Sequence, residues 1–107
     1  MTLTVENDNN TPKDRCHVEI DEEMTIYTIG SLKDELSPIL EEFKQVELNL
    51  GNIEDFDSAG VQLLLSLKAE LFRQNKQLKL TAVSNSVATL LKLYGFTTTS
   101  FNLGGDL

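Results

Sequence analysis

The apolar residues of this chain change period along its length, and that change limits the folds open to it. Cys16, Val18 and Ile20 alternate with His17 and Glu19, the two-residue period of a strand with one buried face. From Gly30 the spacing lengthens, because Leu32, Leu36, Ile39, Leu40 and Phe43 recur at helical intervals, so an amphipathic helix is expected there. Alternation returns at Val46, Leu48 and Leu50 and stops at Gly51-Asn52, which reads as a strand followed by a loop over residues 52–57. Strands that alternate with helices point to a sheet with helices packed on it.

The same reading extends to both ends. Leu3 and Val5 alternate with polar neighbours and suggest a short strand, after which residues 7–12, Asn-Asp-Asn-Asn-Thr-Pro, favour a turn. Asp21-Glu22-Glu23 reads as a second turn, and residues 24–27, with Thr, Ile and Tyr, are expected to run back antiparallel to the strand before them. Pro38 conflicts with an undistorted helix, and either a kink or a restart with Ser37 as N-cap resolves it. Val61, Leu64, Leu65, Lys68 and Phe72 mark a helix reaching about Gln74, with Leu63, Leu67 and Leu71 widening its apolar face. Leu78 and Leu80 define a strand. Ser84 or Ser86 caps a last helix carrying Val87, Leu90, Leu91 and Tyr94, and Gly95 stops it. Residues 97–101 favour extended structure.

The expected order is β-β-β-α-β-α-β-α-β, an α/β fold with a mixed β-sheet packed by α-helices. Its 107 residues suit one domain over 1–107, with a polar segment at 1–14 that holds the short strand and a fraying tail at 102–107. Nine basic against 17 acidic residues give a net charge of −8, which disfavours nucleic acid as a partner. No apolar stretch approaches the roughly 20 residues that span a bilayer. The N-terminal residues lack the basic start and apolar run of a secretory signal, so no direct membrane insertion and a cytoplasmic location are expected. One cysteine, Cys16, and one histidine, His17, argue against a disulfide or a Cys/His zinc site, and no metal or other cofactor is expected.

The segment VELNLGNIEDFDSAGVQLLL, residues 46–65, carries the most chemistry. A buried strand leads into an acidic loop, and Asp57-Ser58-Ala59-Gly60 stands where the next helix begins. A hydroxyl there has two uses. Unmodified, Ser58 can cap free backbone N–H groups, a task Asp57 could also perform; phosphorylated, it gains a charge of about −1.5 to −2. Small Ala59 and Gly60 leave room for a partner to approach the backbone, and Phe56, Val61 and Leu63 supply apolar material nearby.

Residues 46–96, with their strand, D-S-A-G turn, amphipathic helix, strand and SVATLLKLYGF helix, resemble the core of a STAS domain, the anti-sigma-factor antagonist (anti-anti-sigma factor) family. TIYTIGSLKDEL resembles that family's strand-to-first-helix region, so the similarity runs from about residue 16 to 101. The resemblance implies a partner-switching protein in signal transduction and transcription regulation, not an enzyme. In the family, the first Ser or Thr after the Asp of this turn is phosphorylated, which maps onto Ser58, and Phe56, Asp57, Ser58, Ala59 and Gly60 are expected to bind the partner. That partner would be a regulatory serine kinase acting as anti-sigma factor, or a related protein, with a phosphatase to reset the switch. Glu22-Glu23-Met24-Thr25 stands where the family often has Gly-Glu-x-Asp, and the usual C-terminal helix is expected to be short or absent. The opening TIYT and the DSAGVQLL helix start are similar to short STAS proteins of phospholipid-transport ATPase complexes or chemosensory clusters, which gives two constitutive alternatives.

Other chemistries fit less well. Asp57-x-x-Gly60 occurs in nucleotide switches, but no phosphate-binding loop accompanies it. Asp55 and Asp57 read more simply as a solvated acidic loop than as catalytic carboxylates. Ser58 lacks the G-x-S-x-G setting of a hydrolase nucleophile. A phosphoaspartate receiver would use Asp21-Glu22 and Asp55, yet lacks its late lysine here. Cys16 and Tyr94 are expected to face the core, and Lys68, Lys76, Lys79 and Lys92 are too dispersed to form an anion site.

Overall fold

The computed structural model describes residues 3–6 and 14–96. The elements are β1 (Leu3–Glu6), β2 (Arg15–Ile20), β3 (Glu22–Met24), α1 (Ile29–Glu42), β4 (Gln45–Leu50), β5 (Ile53–Phe56), α2 (Ser58–Arg73), β6 (Gln77–Val83) and α3 (Asn85–Leu93). The expected turn at 7–12, the extended segment at 97–101, the tail at 102–107 and the short C-terminal helix lie outside the described residues.

The four-stranded sheet has the order β1-β2-β4-β6. β1 lies antiparallel to β2, while β2, β4 and β6 are parallel, so the sheet is mixed as expected. Parallel neighbours need crossover connections, and α1 and α2 supply them. Cys16, Val18, Ile20, Val46, Leu48, Leu50, Leu78 and Leu80 point to one side of the sheet. Leu32 and Leu36 of α1, Leu64 and Leu71 of α2, and Val87 and Leu91 of α3 complete one continuous core with them.

Pro38 sits inside an unbroken α1, and the Ser37 hydroxyl donates to the Lys33 carbonyl at 2.9 Å instead of capping a second helix. The Lys76 ammonium, in the turn after α2, donates to the Leu40 carbonyl at 2.6 Å and the Glu41 carbonyl at 3.2 Å, which closes the end of α1. Gly95 adopts a positive φ of 84°, and the Phe96 N–H returns to the Leu91 carbonyl at 3.0 Å, the expected stop of α3. Ser84, not Ser86, is its N-cap and accepts from the Val87 N–H.

Four local expectations are corrected. Asp21-Glu22-Glu23 does not form a turn, because Glu22 and Glu23 belong to β3 and pair with β5. Residues 53–56 form a strand and not a loop, because β3 offers them a parallel partner. Residues 25–28 form a turn, so no strand runs back antiparallel to β2; only Met24 remains in β3. Tyr94 is 49% exposed and lies outside the core, whereas Cys16 is fully buried. Tyr94 is the C-cap of α3, beyond its last buried position at Leu91, and Phe96 packs back against the core after the Gly95 turn.

Candidate functional site

The short β3–β5 pair carries the site. Its register joins Glu23 to Asp55 and Met24 to Phe56, so the chain leaves both strands at one point, into the 25–28 turn on one side and α2 on the other. Asp57 occupies the junction. Its backbone is extended, with φ −124°, and its carboxylate Oδ1 accepts the Ala59 N–H at 2.8 Å, which makes Asp57 the N-cap of α2. Its backbone N–H donates to the Met24 carbonyl at 3.3 Å. The second oxygen, Oδ2, accepts the Ile26 N–H at 3.1 Å.

Ser58 is therefore the first helical residue, and the capping role open to it in the sequence belongs to Asp57. Its side chain is exposed, as are Glu54 and Asp55 on the preceding strand. Ala59 is half-buried and Gly60 is buried against its neighbours. A Cβ on Gly60 would stand 2.5 Å from Phe56 Cε1, 2.7 Å from Phe56 Cδ1 and 2.8 Å from the Met24 carbonyl oxygen. Gly60 serves close packing, and the Phe56 ring, half-buried, lies over it. Val61 and Leu63 are buried in the core and leave no apolar contact for a partner.

The 25–28 turn was not among the expected site residues. Thr25 and Thr28 build it with their own hydroxyls: the Thr25 N–H donates to Thr28 Oγ1 at 3.1 Å and the Tyr27 N–H to Thr25 Oγ1 at 3.2 Å. The Thr25 hydroxyl in turn donates to the Glu23 carboxylate. Two closely spaced threonines about a β-favouring pair were its only signal, and that pattern serves a strand equally well.

Among the described residues no group of three or more His, Cys, Asp or Glu side chains could hold a metal ion, and no helix is long and apolar enough to cross a membrane. The histidine is engaged elsewhere. His17 Nδ1 lies 2.7 Å from the carboxylate of Glu47, on the face of the sheet opposite the helices.

A family model described as Mlab, STAS domain, matches residues 8–104. This chain belongs to the STAS domain family. Anti-sigma-B factor antagonist of Staphylococcus aureus (strain NCTC 8325 / PS 47) is 27% identical to this STAS domain over 97 residues, which cover 89% of this chain and 87% of the relative. The unphosphorylated form of the anti-sigma factor antagonist SpoIIAA superposes with a TM-score of 0.76 at 15% identity, covering 98% of this chain and 88% of SpoIIAA. The phosphorylated form of SpoIIAA, a Bacillus cell fate determinant, superposes with a TM-score of 0.72 at 14% identity, covering 98% and 91%. The STAS domain thus resembles anti-sigma-factor antagonists in sequence and in fold.

Proposed function

We propose that this STAS domain is a regulatory protein–protein interaction module in which Phe56, Asp57, Ser58, Ala59 and Gly60 bind a protein partner and phosphorylation of Ser58 releases it. The observation that supports this reading is the division of labour at the start of α2: Asp57 does the capping, so the exposed Ser58 hydroxyl can be modified without uncapping the helix. A phosphate there adds about −1.5 to −2 charges beside Glu54, Asp55 and Asp57. Where the partner's facing surface supplies no arginine to compensate, like charge added to this acidic rim weakens the interface, which sets the direction of the switch. The partner class this favours is a serine kinase that acts as anti-sigma factor, with a phosphatase to restore the hydroxyl.

The test is capture of partners from the source cell with wild type and Ser58→Glu, together with phosphosite mapping of the native protein. Loss of a kinase partner from the Glu variant, with acid-stable phosphate on Ser58, is the expected result. A second reading rests on the resemblance of the TIYT and DSAGVQLL segments to short STAS proteins of phospholipid-transport ATPase complexes: a constitutive subunit of such a complex. Equal capture of an ATPase by both proteins, with no phosphate on Ser58, would replace the switch with that reading.

A further inference from the structure

α1 shows solvent a ridge of three residues spaced by four, Lys33, Ser37 and Glu41, all exposed. The ridge forms one wall of a groove of about 310 Å³ between α1 and α2, floored by Leu40, Leu63 and Leu67. Both of its charges are unspent. Among the described residues the Lys33 ammonium and the Glu41 carboxylate have no hydrogen-bond or ion-pair partner. Lys76 meets the carbonyls of Leu40 and Glu41 but not the Glu41 carboxylate. Glu41 and Glu42 stand in the last turn of α1, which holds no basic residue, although the helix dipole favours a cation there. Glu70 lines the groove at the same end, since Lys76, just past α2, ties the two helix ends together.

The ridge is complementary to itself. Lys33 and Glu41 stand about 6 Å before and after Ser37 along the helix axis. A two-fold axis through Ser37 therefore sets Lys33 of one copy against Glu41 of the other, and the reverse contact follows by symmetry. Ser37 suits the axis because it is small and its hydroxyl already donates to the Lys33 carbonyl at 2.9 Å, so it meets its own copy without an unpaired donor. Rows spaced by four are the ridges that interdigitate when two helices cross, and the groove beside α1 gives the second ridge a place to lie.

We infer that α1 is a self-association surface: two copies of the chain pair antiparallel, and the Lys33-Ser37-Glu41 ridge of each lies in the α1–α2 groove of the other. Lys33 of the second copy then enters the acidic end made by Glu41 and Glu70 and supplies the cation that the last turn of α1 lacks. The inference goes beyond the proposed function and makes no use of Ser58. The charge of −8 on each copy opposes association, so the dimer is weak and reversible.

Sedimentation equilibrium of the full chain at physiological salt, from about 10 μM to about 1 mM, tests this. The apparent mass is expected to rise toward that of a dimer across the range. Lys33→Glu and Glu41→Lys are each expected to weaken association about tenfold or more, since each turns two attractive contacts repulsive. The double variant exchanges the signs in both contacts and is expected to recover to within about threefold of wild type. The single variants change net charge in opposite directions, so an effect of overall charge would move them apart and not together. Ser37→Arg sets like charge against itself at the axis and is expected to leave a monomer. Thermal melts matching wild type keep a folding defect from imitating these losses. A chain that stays monomeric through the whole range overturns the inference. So does a dimer that ignores the single reversals, or a double reversal that fails to restore it.

Discussion

Asp57 and Ile26 are 31 residues apart in sequence and joined by a 3.1 Å hydrogen bond from the Ile26 N–H to Asp57 Oδ2. The other oxygen of the same carboxylate caps α2 at Ala59. One side chain therefore fixes both the helix that carries Ser58 and the turn that carries Tyr27, and the relative placement of the two depends on it.

Asp57→Ala removes both acceptors and is expected to destabilise the fold by about 1–2 kcal/mol, the range of a lost N-cap. Ser58→Ala is expected to stay within about 0.5 kcal/mol of wild type, since Ser58 accepts no cap bond. Urea denaturation of both variants checks this. A loss for Ser58→Ala equal to that of Asp57→Ala would return the cap to serine.

Gly60→Ala reverses the usual sign of a helical glycine replacement, which ordinarily gains about 1 kcal/mol. The new Cβ would meet the Phe56 ring and the Met24 carbonyl at less than van der Waals distance. A loss of about 1–3 kcal/mol is expected, the range of overpacking. Adding Phe56→Ala frees the ring side only, so a double-mutant cycle should show coupling but incomplete rescue.

Glu47 is only 4% exposed, yet it lies on the polar face of the sheet. Gln45 Nε2 donates to it at 2.7 Å, His17 Nδ1 lies at 2.7 Å and Arg15 Nη1 at 3.5 Å. Glu47→Ala should cost about 1–3 kcal/mol, below a fully buried pair because Arg15 and His17 recover water when released. Chemical denaturation measures the loss, and a neutral result would mean that the cluster contributes nothing net.

Glu70 has its carboxyl held below the ordinary value, chiefly by a hydrogen bond from Gln74, which outweighs the opposing effect of burial, with the charge of Arg73 adding to the lowering. The Gln74 amide donates to it at 2.6 Å. A depressed folded-state pKa gives stability that is present above the unfolded value and lost as pH falls through the folded one. Carbon-detected NMR titration should therefore show Glu70 rising toward 4.5 in Gln74→Ala, with a further rise when Arg73 is also replaced.

Periodicity alone fixed the long elements. The alternation in Cys16-Val18-Ile20 and Val46-Leu48-Leu50, and the helical spacing of Leu32-Leu36-Ile39, state which face each element buries, and burial of apolar area leaves no other arrangement of comparable stability. The D-S-A-G turn likewise placed the start of α2 within a residue. These are local properties, because each depends on side chains within a turn or two of one another.

The tertiary structure decided what depends on a distant partner. Glu54 and Asp55 have low strand propensity, so β5 exists only because β3 supplies its hydrogen bonds. Residues 24–27 read as a strand until their amides are assigned, and the Ile26 amide finds its acceptor 31 residues away. The choice between Asp57 and Ser58 as cap, the burial of Glu47 and the exposure of Tyr94 follow the same rule. Hydrophobic period is written into neighbouring residues, whereas the pairing of polar groups is settled only when separate segments meet and every buried donor must find an acceptor.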